Sequence, residues 1–230
     1  MTAILDVREL TKTYTLGKVA VTALAGVSFR AKAGEFLAIA GPSGSGKTTL
    51  LNLMGGLDVP SSGEIEIDGE RLDRLAAARR ADLRARKIGF VFQTFNLIPV
   101  LSAYENVEYP LLLGKVPKGE RRNRVETALA QVGIADRSRH RPSELSGGQQ
   151  QRVAIARALV SGPALVLADE PTANLDGRTA LEVIDLMRRL NSDRGVTFVF
   201  STHDARIMKV AGRVLRMEDG RVQNAVGADA

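Results

Sequence analysis

Residues 41–48 read GPSGSGKT. Glycines at 41, 44 and 46 let a loop curl inward until its N–H groups converge. Lys47 adds a full positive charge, and Thr48 adds a hydroxyl oxygen. Such a set suits phosphate: amides and an ammonium for its oxygens, a hydroxyl for a divalent cation. Further along, LSGGQ at 145–149 opens a run with helical spacing. Free amides and the positive end of a helix dipole again suit an anion there, but no lysine is present.

Carboxylates come next. The apolar run ALVLA ends at Asp169 and Glu170, which places two acids at the C-terminal end of a buried strand, where open α/β sheets bind ligands. Asp169 suits Mg²⁺, and Glu170 suits orienting or deprotonating a water that attacks a γ-phosphate. His203 follows the strand-like VTFVFST and could hydrogen-bond the same phosphate. Gln93 follows IGFVF in the same manner and could reach Mg²⁺ or the lytic water. Tyr14, at the end of the first strand, is a candidate for stacking on adenine.

The elements that must position these residues are legible in outline. ILDVRELTKTY alternates as a strand, VTALAGVSFRA reads as a further short pair, and EFLAIAG is apolar enough to be covered on both faces. A helix follows the glycine loop. GEIEIDGE and IGFVF are strands, and residues from about 93 to 160 are expected to form an inserted helical subdomain, with Gly133 closing one helix. Strands and helices then alternate to a hairpin around Asp219 and Gly220, after which QNAVGADA is expected to fray. The fold class is therefore α/β, a mainly parallel sheet in one domain over 1–230.

The chain has 230 residues, 44% of them hydrophobic and 25% charged, which fits an ordinary globular domain. No apolar run is long enough for a transmembrane helix, and the N-terminus does not read as a leader. With no cysteine, disulfides and thiolate metal sites are excluded, and two histidines leave little for zinc. The net charge of +6 gathers in RRADLRARK (79–87) and KGERRNRVE (118–126), which read as solvated helix faces or as a surface for an anionic membrane. Nucleic acid is not expected, because no aromatic residues interleave with the basic ones.

A second cradle without a lysine cannot hold ATP alone, but it can close over a γ-phosphate held by another copy. A head-to-tail dimer would pair Gly41–Thr48 of one chain with Ser146–Gln149 of the other, giving two equivalent composite sites.

In order, Tyr14, GPSGSGKT, Gln93, LSGGQ, LVLADE, ANLD (173–176) and His203 resemble the nucleotide-binding subunits of ATP-binding cassette (ABC) transporters over the whole chain. The resemblance implies a P-loop NTPase (RecA-like) core with an N-terminal antiparallel β subdomain and an inserted α-helical subdomain. It implies ATP hydrolysis with ATP and Mg²⁺ as cofactors. The nucleotide-binding set is Tyr14, Gly41, Pro42, Ser43, Gly44, Ser45, Gly46, Lys47, Thr48 and Thr49. Ser146, Gly147, Gly148, Gln149 and Asp176 serve the partner's nucleotide, Thr48, Gln93 and Asp169 the metal, and Glu170, His203, Gln93 and Lys47 catalysis. Asn174 stands where the commoner form of ANLD has serine.

FQTFNLIPVLSAYENVEYPLLL, GLDVPSSGEIEIDG and SGGQQQRVAIARAL resemble the lipoprotein-release and macrolide-export branch. That branch implies a homodimer on the cytoplasmic face of the inner membrane, driving an integral permease with a large extracytoplasmic domain. Phe95, Leu97, Ile98, Val100 and Leu101 are candidates for the groove that takes a permease helix, with a wall near Glu144. A non-transporting membrane complex, or a soluble cassette acting on nucleic acid, are the alternatives.

Overall fold

The computed structural model describes residues 3–17 and 19–227. Strands β1 (Ala3–Leu16), β2 (Val19–Lys32), β4 (Ser62–Ile67) and β5 (Glu70–Arg71) make an antiparallel sheet in the order β2-β1-β4-β5. ILDVRELTKTY lies in one long strand, as read, and VTALAGVSFRA, read as a short pair, is one long strand as well. Both bulge: Glu9 has φ 45° and Gly26 φ 75°, and the β1–β2 register shifts between Val7 and Leu10. A bulge breaks the alternation of faces without ending the strand.

The second sheet has the order β10-β9-β3-β8-β7-β6, built from β3 (Phe36–Ala40), β6 (Ile88–Val91), β7 (Leu165–Ala168), β8 (Thr197–Thr202), β9 (Arg213–Glu218) and β10 (Arg221–Gly227). All neighbours from β9 to β6 run parallel. Its inner strands are apolar because both faces are covered. Phe36, Ala38, Phe198 and Phe200 face one core with the helices, while Leu37, Ile39 and Val199 face another shared with the antiparallel sheet. The hairpin at Asp219 and Gly220 is present, with φ of 45° and 72°. The expected fraying beyond it is corrected: Val226 pairs with Val214 and Gly227 with Arg213, so strand pairing holds this backbone. Residues 228–230 lie outside the described residues.

Helix α1 (Lys47–Met54) follows the glycine loop, and α2 (Ala77–Lys87) carries the first basic run. Between β6 and β7 stand α3 (Ala103–Leu113), α4 (Lys118–Gln131) and α5 (Gly147–Leu159). Gly133, at φ 70°, ends α4, with Ile134 N–H donating to Leu129 O and Gly133 N–H to Ala130 O. The stretch before α3 is a loop. Asn106, fully buried, accepts from Ile98 N–H and donates to the carbonyls of Ile98, Leu101 and Ser102. Helix α6 (Gly177–Arg194) and α7 (Ala205–Met208) complete the set.

Candidate active site

The loop between β3 and α1 is shaped by its glycines for two different reasons. A Cβ on Gly41 would lie 2.2 Å from Met217 O, and one on Gly46 would lie 2.6 Å from Ala23 O. Gly44, at φ 81°, meets open space and is needed for its backbone angle alone. Gly46→Ala should therefore lower Tm more than Gly44→Ala, as thermal melting would show. Both carry about 1–2 kcal/mol for positive φ, worth about 2–4 °C per kcal/mol at this size. Gly46→Ala adds a collision with backbone.

No side chain caps α1, whereas α3, α5 and α6 are capped by Ser102, Ser146 and Asp176. The first-turn N–H donors of α1 thus remain for an anion. Ser45 Oγ is buried in the same loop without a hydrogen-bond partner. Lys47, only 7% exposed, donates to Gly41 O and Pro42 O at 2.8 Å each and lies 3.9 Å from Glu170 Oε1. Its ammonium is folded back on carbonyls that phosphate oxygens can replace.

Asp169 and Glu170 follow β7 as expected. Glu170 has φ 45°, a left-handed conformation that costs a non-glycine residue about 1–3 kcal/mol. His203 Nδ1 lies 2.8 Å from Glu170 Oε2; since a carboxylate only accepts, Nδ1 carries the proton. Gln93 O accepts from Asn174 Nδ2 at 2.9 Å, so the asparagine that departs from the common serine ties the loop after β7 to the one after β6.

An open cleft of about 600 Å³ is lined by Pro42, Ser43, Gly44, Gly46, Lys47, Thr48, Thr49, Gln93, Glu170 and His203, with Ala23 and Ala173. The four candidates for catalysis thus meet in one place. Tyr14, Gly41, Ser45 and Asp169 do not line it. Tyr14 donates from its hydroxyl to Asp58 Oδ2 at 2.9 Å, and Lys12 Nζ lies 4.7 Å from its ring centre. Burial, followed by Asp58, pushes that hydroxyl's pKa up.

Ser146, Gly147, Gly148, Gln149 and Asp176 do not line the cleft either. Ser146 Oγ accepts from Gln149 N–H at 3.3 Å, and Gln149 Oε1 accepts from Ser146 N–H at 2.9 Å. A Cβ on Gly148 would lie 2.4 Å from Thr179 Cγ2 of α6. Asp176 Oδ1 accepts from Arg178 N–H and Thr179 N–H at 3.1 Å each. Hydrogen bonding at Thr179 holds its carboxyl below the usual range.

Among the described residues, no cluster of three or more His, Asp or Glu forms a metal cage. The donors expected for Mg²⁺ are a hydroxyl, an amide and a carboxylate oxygen. That set fits an ion that prefers oxygen and completes its shell with water and substrate phosphates. Two polar residues escaped the sequence reading. Fully buried Ser201 bonds to both Asp169 and Glu170, and fully buried Gln151 donates to Pro171 O at 2.6 Å. A serine closing the apolar run VTFVF is the signal that could have marked the first.

Of the residues expected to form a partner groove around Phe95 to Leu101, Val100 is exposed. A cavity of about 510 Å³ is lined by Leu57, Arg84, Phe90, Phe92, Tyr109, Leu113 and Arg157, among others, with neither Leu97 nor Glu144. The Asn106 bonds draw the preceding loop onto α3, and Leu97 packs against the core.

A parallel strand, a glycine loop and a helix, with paired carboxylates at the end of a nearby strand, define a P-loop NTPase. Residues 24–173 match the family model described as ABC transporter. The chain is 48% identical over 223 residues to an uncharacterized ABC transporter ATP-binding protein of Thermotoga maritima, covering 97% of this chain and 95% of that one. It is 47% identical over 227 residues to the macrolide export ATP-binding/permease protein MacB of Syntrophobacter fumaroxidans, covering 98% of this chain but 32% of that protein. A dimeric ATP-binding cassette solved in a post-hydrolysis state with ADP and Pi superposes with a TM-score of 0.90 at 43% identity, covering 98% of this chain and 99% of that one. A cassette from Clostridium perfringens, part of an ABC transporter complex, gives 0.88 at 36%, covering 98% of this chain and 88% of that one. The chain belongs to the ABC transporter family, as its ATP-binding, ATP-hydrolysing subunit.

Proposed function

We propose that two copies close head to tail on ATP and drive an integral membrane permease of the export or lipoprotein-release type. One observation carries this reading: Lys47, Gln93, Glu170 and His203 meet in a cleft that the cradle at Ser146–Gln149 does not line. A second copy supplies what is missing. The solved relative that is itself a dimer, with ADP and Pi bound, supports the arrangement. Tyr14 stacks on the adenine in this reading, and Asp176 communicates between the two sites.

On nucleotide entry Lys47 leaves Gly41 O and Pro42 O for the phosphates, while the uncapped amides of α1 and the Ser45 hydroxyl receive their oxygens. Glu170 takes a proton from the attacking water, and His203 and Gln93 orient the water and the γ-phosphate. Mg²⁺, held by Thr48, Gln93 and Asp169, would spread the charge that develops on the phosphates.

Among the described residues no helix is long and apolar enough to cross a membrane; in this reading the permease supplies the span. The groove suits an amphipathic permease helix. Leu57, Tyr109 and Leu113 are 47%, 40% and 65% exposed there. Burial pushes the guanidinium pKa values of Arg84 and Arg157 down, and no acid lines the groove. The MacB relative, which joins cassette and permease in one chain by its name, supports export. We place the dimer on the cytoplasmic face of the inner membrane, under a permease with a large extracytoplasmic domain.

The test is to purify a tagged Glu170→Gln chain from its host's solubilised membranes with ATP and Mg²⁺ and to identify its partners by mass spectrometry. A permease with few spans and a large extracytoplasmic domain is expected. Partners that are only soluble, or nucleic acid, would end the transporter reading, and a sensor or regulator would favour a non-transporting complex. Leu113→Arg should lose the permease in the same purification, because it adds a third guanidinium to a groove that already holds Arg84 and Arg157 and no acid. Its ATPase rate as an isolated chain should stay within about twofold of the unchanged chain, as for a surface substitution.

A further inference from the structure

Strand β8 is apolar through its middle, at Phe198, Val199 and Phe200, and then places a serine at a fully buried position. Ser201 Oγ lies 2.7 Å from Asp169 Oδ1 and 2.8 Å from Glu170 N. Its role in each bond is forced. A carboxylate only accepts, so the hydroxyl proton points to Asp169; an amide only donates, so an oxygen lone pair faces Glu170. The flanking threonines have local duties: Thr197 accepts from Gly34 N–H and Thr202 from Asp204 N–H. Ser201 has both partners in the proposed ATPase centre.

The geometry points to Ser201 as a positioning residue for ATP hydrolysis, one hydroxyl aiming the Asp169 carboxylate and clamping the Glu170 backbone. Asp169 can rotate about its side-chain bonds. A donor on Oδ1 fixes the plane of the carboxylate and leaves Oδ2 for the metal. Glu170 sits at φ 45°, and a turn of that kind holds only where fixed contacts define it. The bond from its own N–H to a buried hydroxyl on a central strand is such a contact. This inference rests on the metal and base roles proposed above for Asp169 and Glu170.

The test compares the full chain with Ser201→Ala, Ser201→Thr and Asp169→Asn, each shown to be folded by thermal melting. Binding of a fluorescent ATP analogue is read in EDTA and across a Mg²⁺ titration, and kcat and KM for ATP are measured beside it. For Ser201→Ala, binding in EDTA should stay within about twofold. The Mg²⁺ needed for half-maximal binding should rise about tenfold and kcat fall about tenfold, as for loss of a group that orients a metal ligand. Ser201→Thr keeps the hydroxyl and should hold both within about threefold, by the same reasoning.

Unchanged Mg²⁺ dependence and kcat in Ser201→Ala would overturn the inference. So would an equal loss of binding in EDTA, or a threonine chain as impaired as the alanine one, since both mark a packing role. If Asp169→Asn abolishes the Mg²⁺ dependence and Ser201→Ala leaves it intact, only the role of Ser201 falls. If Asp169→Asn leaves it intact, the metal reading of Asp169 falls and the inference with it.

Discussion

A Glu170→Gln chain is expected to bind ATP, accumulate as a dimer and lose turnover by about 10²–10⁴-fold, the range associated with a positioned general base. The substitution keeps the volume of the side chain and an oxygen facing His203, which lies 2.8 Å away. It removes the group that can take the proton of water. It also removes a negative charge 3.9 Å from Lys47, so the phosphates meet a more positive cleft and should be held more tightly. Single-turnover hydrolysis, with light scattering in ATP and Mg²⁺, measures both effects. Turnover near the unchanged rate would take Glu170 out of this role.

The second large effect is a rescue. Lys47→Ala should abolish hydrolysis because nothing else in the cleft carries a full positive charge beside protonatable His203. Ser146→Arg should abolish it as well, by filling the cradle that closes over the partner's phosphate. It also removes a helix cap, at a cost of about 1 kcal/mol, which leaves the fold intact. Serine is the better position to change, since Gly148 packs on Thr179 within its own chain. In a mixed dimer one site combines both defects and the other has neither. An equal mixture of the chains should therefore recover up to roughly a quarter of the unmodified activity, because half the dimers are mixed and each keeps one of two sites. A steady-state ATPase assay reads this directly. No activity above the sum of the two separate chains would remove the composite site.

Much of the site was legible because much of it is local. The glycine loop, Lys47 and Thr48 lie within one strand–loop–helix unit, and GPSGSGKT carries its own geometry. The positions of Gln93, Asp169 and His203 could be read as strand ends, since apolar runs stop there and parallel strands offer that edge to ligands. Which apolar side chains before α3 face the core was not legible, because Leu97, packed on the core, and exposed Val100 read alike in the sequence. The bonds from buried Asn106 decide between these, and they depend on where α3 lies. VTALAGVSFRA was misread as a pair because Gly26, at φ 75°, interrupts its pattern where the β1–β2 register shifts.

The amino-acid sequence alone determined what each short segment can be: a curled loop where only glycine fits, a helix opening at LSGGQ, a buried strand at LVLA. These follow from backbone sterics and from neighbours a few residues away. The tertiary structure decided which polar atoms meet. The order β3-β8-β7-β6 sets the strands beside one another, and the register of β7 against β8 places Ala168 opposite Phe200. That register brings Ser201 to Asp169 across 32 residues and His203 to Glu170 across 33. A slip of one residue would turn Ser201 to the other face of the sheet and part it from both carboxylates. Such pairings are made by strand order and register, which no short segment of this chain encodes.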